Sequence, residues 1–282
     1  MTDGNADQIE YWNGPSSNKL VTNQQRMDRM LAAFSDHVMQ KADIGPGARV
    51  LDVGCGCVAT SFALASPVGA SGKRGGVDVS RPMLDVARAV DTDLPVCFVE
   101  ADAATHDFGK DRFDLLFSRF GVMFFADPDR AFAHMGKAMD PGGRVAFACW
   151  RPLSQNPWML QPVLVAKDFI DLPPRPGPEA PGPFSFSDPD RVKRVLTSGG
   201  FRDIEITPFD HEMVIGETVE QAIQKAMEVG PVGTAAQDAD AATKEALNAA
   251  MARKLETFAA ADGIRLGASI WCVTARLPCC GC

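Results

Sequence analysis

Three acidic residues stand near the ends of three short apolar runs in the first half of the sequence. Asp52 lies near the end of a run at 49–53, Asp78 lies near the end of a run at 76–79, and Asp102 follows a third. A carboxylate at the end of a buried strand suits an ammonium or sulfonium group, ribose hydroxyls or an adenine amino group. The pattern predicts a site for a cationic ligand that contains a nucleoside.

A loop with two glycines at 54–59, Gly54-Cys55-Gly56-Cys57-Val58-Ala59, follows the first of these acids. Glycines let the backbone turn sharply and approach a ligand closely. The loop also fits the dinucleotide pattern G-x-G-x-x-A, so an NAD(P)-linked oxidoreductase is the alternative interpretation. Asp52 favours the cationic ligand, because a carboxylate two residues before Gly54 would repel a pyrophosphate. Tyr11 is the single tyrosine, which excludes a Tyr-x-x-x-Lys proton-donor arrangement.

Strands and helices alternate through the region that carries these residues. The sequence predicts strands at 49–53, 76–79, 96–100, 113–117 and 144–150, and helices at 19–42, 60–65, 82–90 and 131–139. Alternation of this kind predicts an α/β domain with a doubly wound, mostly parallel sheet and helices on both faces. The remaining predictions are an extended proline-rich segment at 172–189, a helix at 188–198, one or two strands at 201–214, helices within 217–261 and a strand at 269–275.

Ordered motifs between residues 45 and 150 resemble the class I S-adenosylmethionine-dependent methyltransferases. The matching motifs are Val50-Leu51-Asp52-Val53-Gly54-Cys55-Gly56, Gly76-Val77-Asp78, Ala101-Asp102-Ala103, Phe113-Asp114 and Pro141-Gly142-Gly143-Arg144. Within that family the sequence is most similar to the small-molecule branch, which includes ubiquinone/menaquinone-type enzymes. The resemblance implies a Rossmann-like methyltransferase fold, with a seven-stranded sheet whose seventh strand is antiparallel and with inserted helical cap segments. It also implies in-line methyl transfer from S-adenosylmethionine to a small-molecule acceptor, with S-adenosylhomocysteine as product.

The resemblance assigns cofactor contacts to individual positions. Gly54 and Gly56 would pass under the methionine part, Asp78 would hold the ribose, and Asp102 with the Ala103 backbone would hold the adenine. The full predicted cofactor set is Asp52, Gly54, Cys55, Gly56, Asp78, Val79, Asp102, Ala103 and Ser118. Val58 stands where the family often has a third glycine, so a methyltransferase-like protein that binds cofactor without catalysis is a further alternative.

Other candidates flank this set. His106 and Arg119 are the candidate catalytic residues; a base is needed only when the acceptor must lose a proton. The candidates for a lid or a substrate pocket are Tyr11, Trp12, Gln24, Arg26, Arg119, Trp150, Arg151, Asn156 and Trp158. Core packing is the competing interpretation for the aromatic members of this set.

The expected organisation is an N-terminal helical lid at 1–44 followed by a methyltransferase domain at 45–282. That domain divides into a cofactor half, 45–150, and a substrate-side half, 151–282. Within the second half, segments at about 153–187 and 216–262 are expected to cover the acceptor pocket together with the N-terminal helix.

The composition and charge limit the classes of binding partner and the cellular location that we expect. The 282 residues carry a net charge of −8 without a dense Lys/Arg run, which argues against nucleic acid and favours a small molecule. No apolar stretch is long enough to predict a membrane span, and the polar N-terminus predicts a cytoplasmic protein. The eight cysteines fit a reducing compartment better than a disulfide framework. No histidine has metal-ligand spacing, and the tail Cys279-Cys280-Gly281-Cys282 is interpreted as a terminus and not a metal site. A homo-oligomer is compatible with the sequence.

Overall fold

The computed structural model describes residues 5–90, 96–228 and 230–279. Its strands are β1 (Arg49–Val53), β2 (Lys73–Asp78), β3 (Val96–Glu100), β4 (Phe113–Arg119), β5 (Met139–Trp150), β6 (Arg202–Gly216), β7 (Ala259–Ala260) and β8 (Gly263–Arg276). Its α-helices are α1 (Ala6–Asn13), α2 (Pro15–Thr22), α3 (Gln24–Ala42), α4 (Ala59–Ala63), α5 (Ala65–Val68), α6 (Arg81–Ala89), α7 (Pro128–Gly136), α8 (Pro157–Ala166), α9 (Pro189–Ser198), α10 (Val219–Glu228), α11 (Pro231–Ala235) and α12 (Ala241–Glu256). Short 3-10 helices lie at Val122–Phe124 and Leu153–Gln155.

The strands form one mixed sheet in the order β3-β2-β1-β4-β5-β8-β6, with the two-residue β7 paired to β8. Strands β1 to β5 pair in parallel, and β8 runs antiparallel to β5. The order reverses between β1 and β4, and a ligand in such a sheet binds outside the carboxyl ends of the strands at that point. The predicted fold class is confirmed, including the antiparallel last long strand.

The chain divides into two compact units. Unit 1 comprises Met1–Trp150, Glu179–Phe209 and Ile270–Cys282, and unit 2 comprises Arg151–Pro178 and Asp210–Ser269. Helices α1 to α3 therefore belong to the same unit as residues 45–150.

The core of unit 1 is built on its central strands, whose apolar side chains are almost fully covered. Leu115, Phe117 and Phe147 are each at most 1% exposed. Helix α7 begins three residues earlier than predicted, because Pro128 occupies its first turn and the Asp127 side chain accepts a hydrogen bond from Arg130 N. These caps fix where the helix starts.

Part of the proline-rich segment packs closely, although the sequence predicted only an extended excursion. Gly182 N and Ser185 Oγ both donate to the carbonyl of Met123, at 3.1 and 2.6 Å. Arg191 Nη1 donates to the carbonyl of Ser185 at 2.7 Å, and the Phe186 ring is 1% exposed. Residues 179–187 are therefore anchored in unit 1.

Unit 2 has a core of its own, to which α12 contributes Leu247, Met251 and Leu255, each fully buried. Asn156, also fully buried, accepts a hydrogen bond from Ser269 N and donates to the carbonyl of Ser269. All its polar atoms have backbone partners, so Asn156 stabilises this unit. Among the described residues, no helix has both the length and the apolar character needed to cross a bilayer.

Candidate cofactor site

The loop after β1 makes the turn that its glycines predict. Gly54 and Gly56 have φ angles of 68° and 57°, in the left-handed region that favours glycine. A Cβ on Gly54 would lie 2.8 Å from the Cα of Gly121, so a side chain there would force the ends of β1 and β4 apart. Gly54 N donates to the carbonyl of Val77 at 2.8 Å, which ties the loop to β2.

Asp52 is almost completely buried beneath this loop. Its Oδ2 accepts hydrogen bonds from Thr60 Oγ1 at 2.6 Å and from Ser61 Oγ at 2.7 Å, in the first turn of α4. Its Oδ1 is also buried but has no hydrogen-bond partner among the described residues. Burial raises the pKa of Asp52 to about 6, while the two hydroxyls and the Arg119 guanidinium oppose that rise. A buried acceptor without a donor is costly, so this atom suits a ligand that brings one.

Asp78 organises the end of β2. Its Oδ2 accepts from Gly56 N and its Oδ1 from Ser80 N, both at 2.8 Å. Burial raises the pKa of Asp78, and the backbone donors oppose that rise. Each carboxylate oxygen has a second lone pair, so Asp78 can hold the loop and still accept two vicinal hydroxyls.

Asp102 shapes the turn after β3. Its Oδ1 accepts from Ala104 N at 2.9 Å, and Ala103 beside it is 5% exposed. On the same edge Arg81 makes a two-point ion pair with Glu100, with nitrogen–oxygen distances of 3.0 to 3.2 Å. The three predicted acids therefore lie at or near the carboxyl ends of three neighbouring strands.

Ser118 and Arg119 end β4 in different ways. Ser118 Oγ donates to the carbonyl of Val53 at 2.7 Å and accepts from Gly121 N at 3.1 Å, so the hydroxyl joins β1 to β4. The Arg119 guanidinium pairs with Asp28 of α3 at 2.9 Å. Both residues lie at the predicted edge, and the structure gives Ser118 a role in holding the backbone.

The N-terminal helices reach the same edge through Asn13, which the sequence analysis did not select. Asn13 Nδ2 donates to the carbonyl of Val79 at 2.8 Å, and its Oδ1 accepts from Arg81 N at 3.0 Å. Asn13 thereby fixes the end of α1 to the residues that follow Asp78. The available signal was its position beside the two lid candidates in Tyr11-Trp12-Asn13.

The other lid candidates make their contacts within unit 1. Gln24 Nε2 donates to the carbonyl of Cys57 at 2.9 Å. The Trp12 ring packs edge-on against Phe124, with centroids 5.0 Å apart, and also against Tyr11. Tyr11 is 53% exposed. Arg26 is partly buried on α3.

Four further candidates lie away from the carboxyl edge of the sheet, in the core or in unit 2. The His106 ring packs against Phe108, which contacts Phe113 at the amino end of β4. Trp150 is 5% exposed and stacks on Phe120 with centroids 4.1 Å apart, which favours core packing. Trp158 is 6% exposed in unit 2. Arg151, also in unit 2, pairs with Asp210 at 2.8 Å.

The cysteines of the loop are not poised as nucleophiles. Burial raises the pKa of Cys57 to about 12 and that of Cys55 well above its ordinary value. Within the part of the chain that the structure describes, no group of three His, Cys, Asp or Glu side chains could hold a metal ion. Of the cysteine-rich tail, Cys279 is described and exposed, and residues 280–282 lie outside the described residues.

Val58 occupies a backbone conformation that glycine prefers. Its φ is 100° at the start of α4, and its side chain is 4% exposed. A β-branched residue is rarely found there, because its Cβ substituents meet the neighbouring carbonyl. Val58 therefore combines a φ that favours glycine with a β-branched side chain.

Comparisons with known proteins agree with this geometry. Residues 50–143 match the sequence model of a methyltransferase domain family. Aklanonic acid methyltransferase of a Streptomyces species is 34% identical over 138 residues, which cover 48% of this chain and 57% of that protein. Demethylmenaquinone methyltransferase of Staphylococcus haemolyticus is 28% identical over 184 residues, covering 61% and 76%. The chain spans about half the length of the first curated relatives that it matches.

Among solved structures, Haemonchus contortus phosphoethanolamine N-methyltransferase 2 in complex with S-adenosyl-L-methionine has the same fold. Its TM-score is 0.50 at 19% identity, covering 87% of this chain and 52% of that one.

The sheet order and the acids at three strand ends define a Rossmann-like domain for a nucleoside cofactor. Residues 50–143 are therefore similar to a methyltransferase domain, in agreement with the resemblance that the sequence motifs predicted.

Proposed function

We propose that this protein transfers a methyl group from S-adenosylmethionine to a small-molecule acceptor by in-line displacement. The observation that carries the proposal is the carboxyl edge of β1, β2 and β3. There Asp52, Asp78 and Asp102 lie at or near the ends of three neighbouring strands, and the glycines of the loop after β1 leave its backbone partly exposed. The S-adenosyl-L-methionine bound to the Haemonchus contortus enzyme of the same fold supports the same conclusion.

The residues present fit this cofactor. Asp52 Oδ1 has no hydrogen-bond donor among the described residues. In the proposed complex the ammonium of the cofactor's methionine part donates to it, directly or through water. Asp78 accepts ribose hydroxyls beside the two backbone bonds that already fix its orientation. Asp102 and Ala103 receive the adenine, since they follow β3, the next strand outward. A pyrophosphate would meet an anionic Asp52, so a dinucleotide fits less well.

The chemistry of the cofactor sets what the protein must do. When bound, S-adenosylmethionine supplies an electrophilic methyl group on a good leaving group. The chain then has to hold the acceptor in line and exclude water, and orientation of this kind contributes about 7–11 kcal/mol to a reaction. In the proposed assignment the loop residues fix the methyl donor. Gln24 of α3 donates to the loop at the carbonyl of Cys57, and Trp12 of α1 packs on Phe124 after β4.

The acceptor is proposed to be a small molecule and not nucleic acid, since the net charge is −8. The relatives named for aklanonic acid and demethylmenaquinone support a small acceptor. We also propose a cytoplasmic location, which the free thiols of the described cysteines support.

A thermal shift assay tests the proposal. S-adenosylmethionine and S-adenosylhomocysteine are expected to raise the melting temperature of the full chain by an amount that grows with the logarithm of ligand concentration, because they bind the folded state alone. NAD and NADP are expected to leave it unchanged. Stabilisation by NAD without stabilisation by S-adenosylhomocysteine would overturn the assignment.

A further inference from the structure

Arg119 is a charged residue at the centre of the predicted binding edge. It is the last residue of β4, and β4 pairs with β1 in a register that places Phe117 opposite Asp52. Arg119 therefore stands just beyond Asp52, at the level where the loop turns at Gly54. Its side chain is only 16% exposed, so the position of its charge is restricted.

The contacts of Arg119 orient its guanidinium without using all its donors. Nη2 donates to Asp28 Oδ1 at 2.9 Å, and Nη1 donates to Ser35 Oγ at 3.4 Å, both on α3. A guanidinium carries five N–H donors, so these two bonds leave three without a partner among the described residues. Its planar fork matches a carboxylate and can bind one through two parallel hydrogen bonds.

Arg119 and Asp52 present opposite charges on neighbouring strands. Burial raises the pKa of Asp52, and the Arg119 guanidinium is close enough to oppose that rise. Asp52 also has the buried oxygen without a donor. The ends of β1 and β4 thus offer one anionic and one cationic partner side by side.

The amino-acid end of S-adenosylmethionine is a zwitterion, with an ammonium and a carboxylate on one carbon. We infer that Arg119, held by Asp28, binds the cofactor carboxylate while Asp52 takes the ammonium. The inference rests on the proposed function and gives Arg119 a binding role in place of the catalytic or substrate-facing role predicted from sequence. Helix α3 then contributes to cofactor binding, because its residue Asp28 positions the guanidinium.

The test compares two ligands that differ by this carboxylate alone, S-adenosylmethionine and decarboxylated S-adenosylmethionine. Dissociation constants are measured by calorimetry on the full chain, without an acceptor. The wild type is expected to bind the complete ligand about 10- to 100-fold more tightly, the range of a hydrogen-bonded charge. In Arg119→Met the ratio is expected to fall close to one, because only the ligand with the carboxylate loses a contact.

Two further variants separate binding from folding. Arg119→Lys keeps the charge but not the fork, so we expect an intermediate ratio even if the methionine variant folds poorly. Arg144→Met removes a similarly covered arginine, 22% exposed and paired with Asp43, and is expected to keep the wild-type ratio.

The outcomes distinguish the two proposals. A purely structural Arg119 would weaken both ligands equally, and an unchanged ratio in Arg119→Met and Arg119→Lys overturns the inference. A wild type that binds both ligands equally overturns the inference and keeps the proposed function. A wild type that binds neither ligand overturns both.

Discussion

The two ends of the central strands use aspartate in opposite ways. At the amino end, Asp114 accepts from Arg49 N, Nε and Nη2, and Arg49 also pairs with Asp140. The Arg49 hydrogen bonds lower the pKa of Asp114. At the carboxyl end, burial raises the pKa of Asp52, and one of its oxygens has no partner. Paired carboxylates stabilise the fold, whereas the incompletely satisfied Asp52 is the place where we propose that a ligand completes the structure.

The largest expected effect is an opposite pH dependence at the two ends. The pKa of Asp52 is about 6 in the folded chain against an unfolded value near 3.8, so the folded state holds an extra proton between these values. Stability should therefore fall as the pH rises from about 4 to 6, by about 3 kcal/mol. Asp114 has a lowered pKa, so its contribution should instead be lost as the pH falls below its unfolded pKa.

Denaturant unfolding of wild type, Asp52→Asn and Asp114→Asn across pH 3–8 measures this difference. The stability of Asp52→Asn relative to wild type should increase by about 3 kcal/mol from pH 4 to pH 7. A difference that stays constant with pH would show that Asp52 is not a strained buried acid.

Cofactor affinity provides the next comparison. Asp52→Asn removes the anion that faces the ligand ammonium, so S-adenosylhomocysteine binding should weaken by about 1.5–3 kcal/mol, roughly 10- to 150-fold. Wild-type affinity should also rise with pH through about 6, as Asp52 ionises. Isothermal calorimetry measures both effects, and equal affinity in wild type and Asp52→Asn would contradict the assignment.

Asp114→Asn is the matched variant at the other end. The Arg49–Asp114 pair is 35% and 38% exposed, so solvent screening limits its contribution. We expect a loss of about 1 kcal/mol of stability and no change in cofactor affinity. Weaker cofactor binding in this variant would remove the distinction between the two ends.

The last prediction concerns how backbone strain at Val58 affects the free energy of unfolding. At φ 100°, Val58→Ala loses buried apolar atoms and keeps the strain, whereas Val58→Gly loses more atoms but relieves it. Val58→Gly should therefore be more stable than Val58→Ala by about 1 kcal/mol.

The control for Val58 is Val195, which is 1% exposed inside α9. There the order should reverse, because glycine weakens a helix interior. Chemical denaturation of the four variants checks both orders. The same order at both positions would show that Val58 is not strained.

The cofactor half was predictable because its signals are local. Buried parallel strands form short apolar runs, and a site at their carboxyl ends needs residues at or near those ends, where Asp52, Asp78 and Asp102 lie. The glycine loop could be located for the same reason. The predicted strand positions from β1 to β5 agree with the structure to within a few residues.

The rest could not be predicted from local patterns. Helix α1 buries no residue, so no apolar repeat in the sequence indicates where it packs. Its anchor, Asn13, donates a hydrogen bond to the carbonyl of Val79, 66 residues away. The order around Ser185 depends on the carbonyl of Met123, 62 residues earlier in the chain. Such contacts form only in the assembled fold, and no periodic pattern in the sequence predicts them.

Amide hydrogen exchange with S-adenosylhomocysteine tests the central claim most directly, because it shows where on the sheet the ligand binds. The account predicts slower exchange in the loops at 54–58, 78–81 and 101–104, at the ends of β1, β2 and β3. Exchange at Arg49 and Asp114, at the opposite end, should not change. Protection at the amino ends, or no protection in these three loops at a saturating ligand concentration, would contradict it.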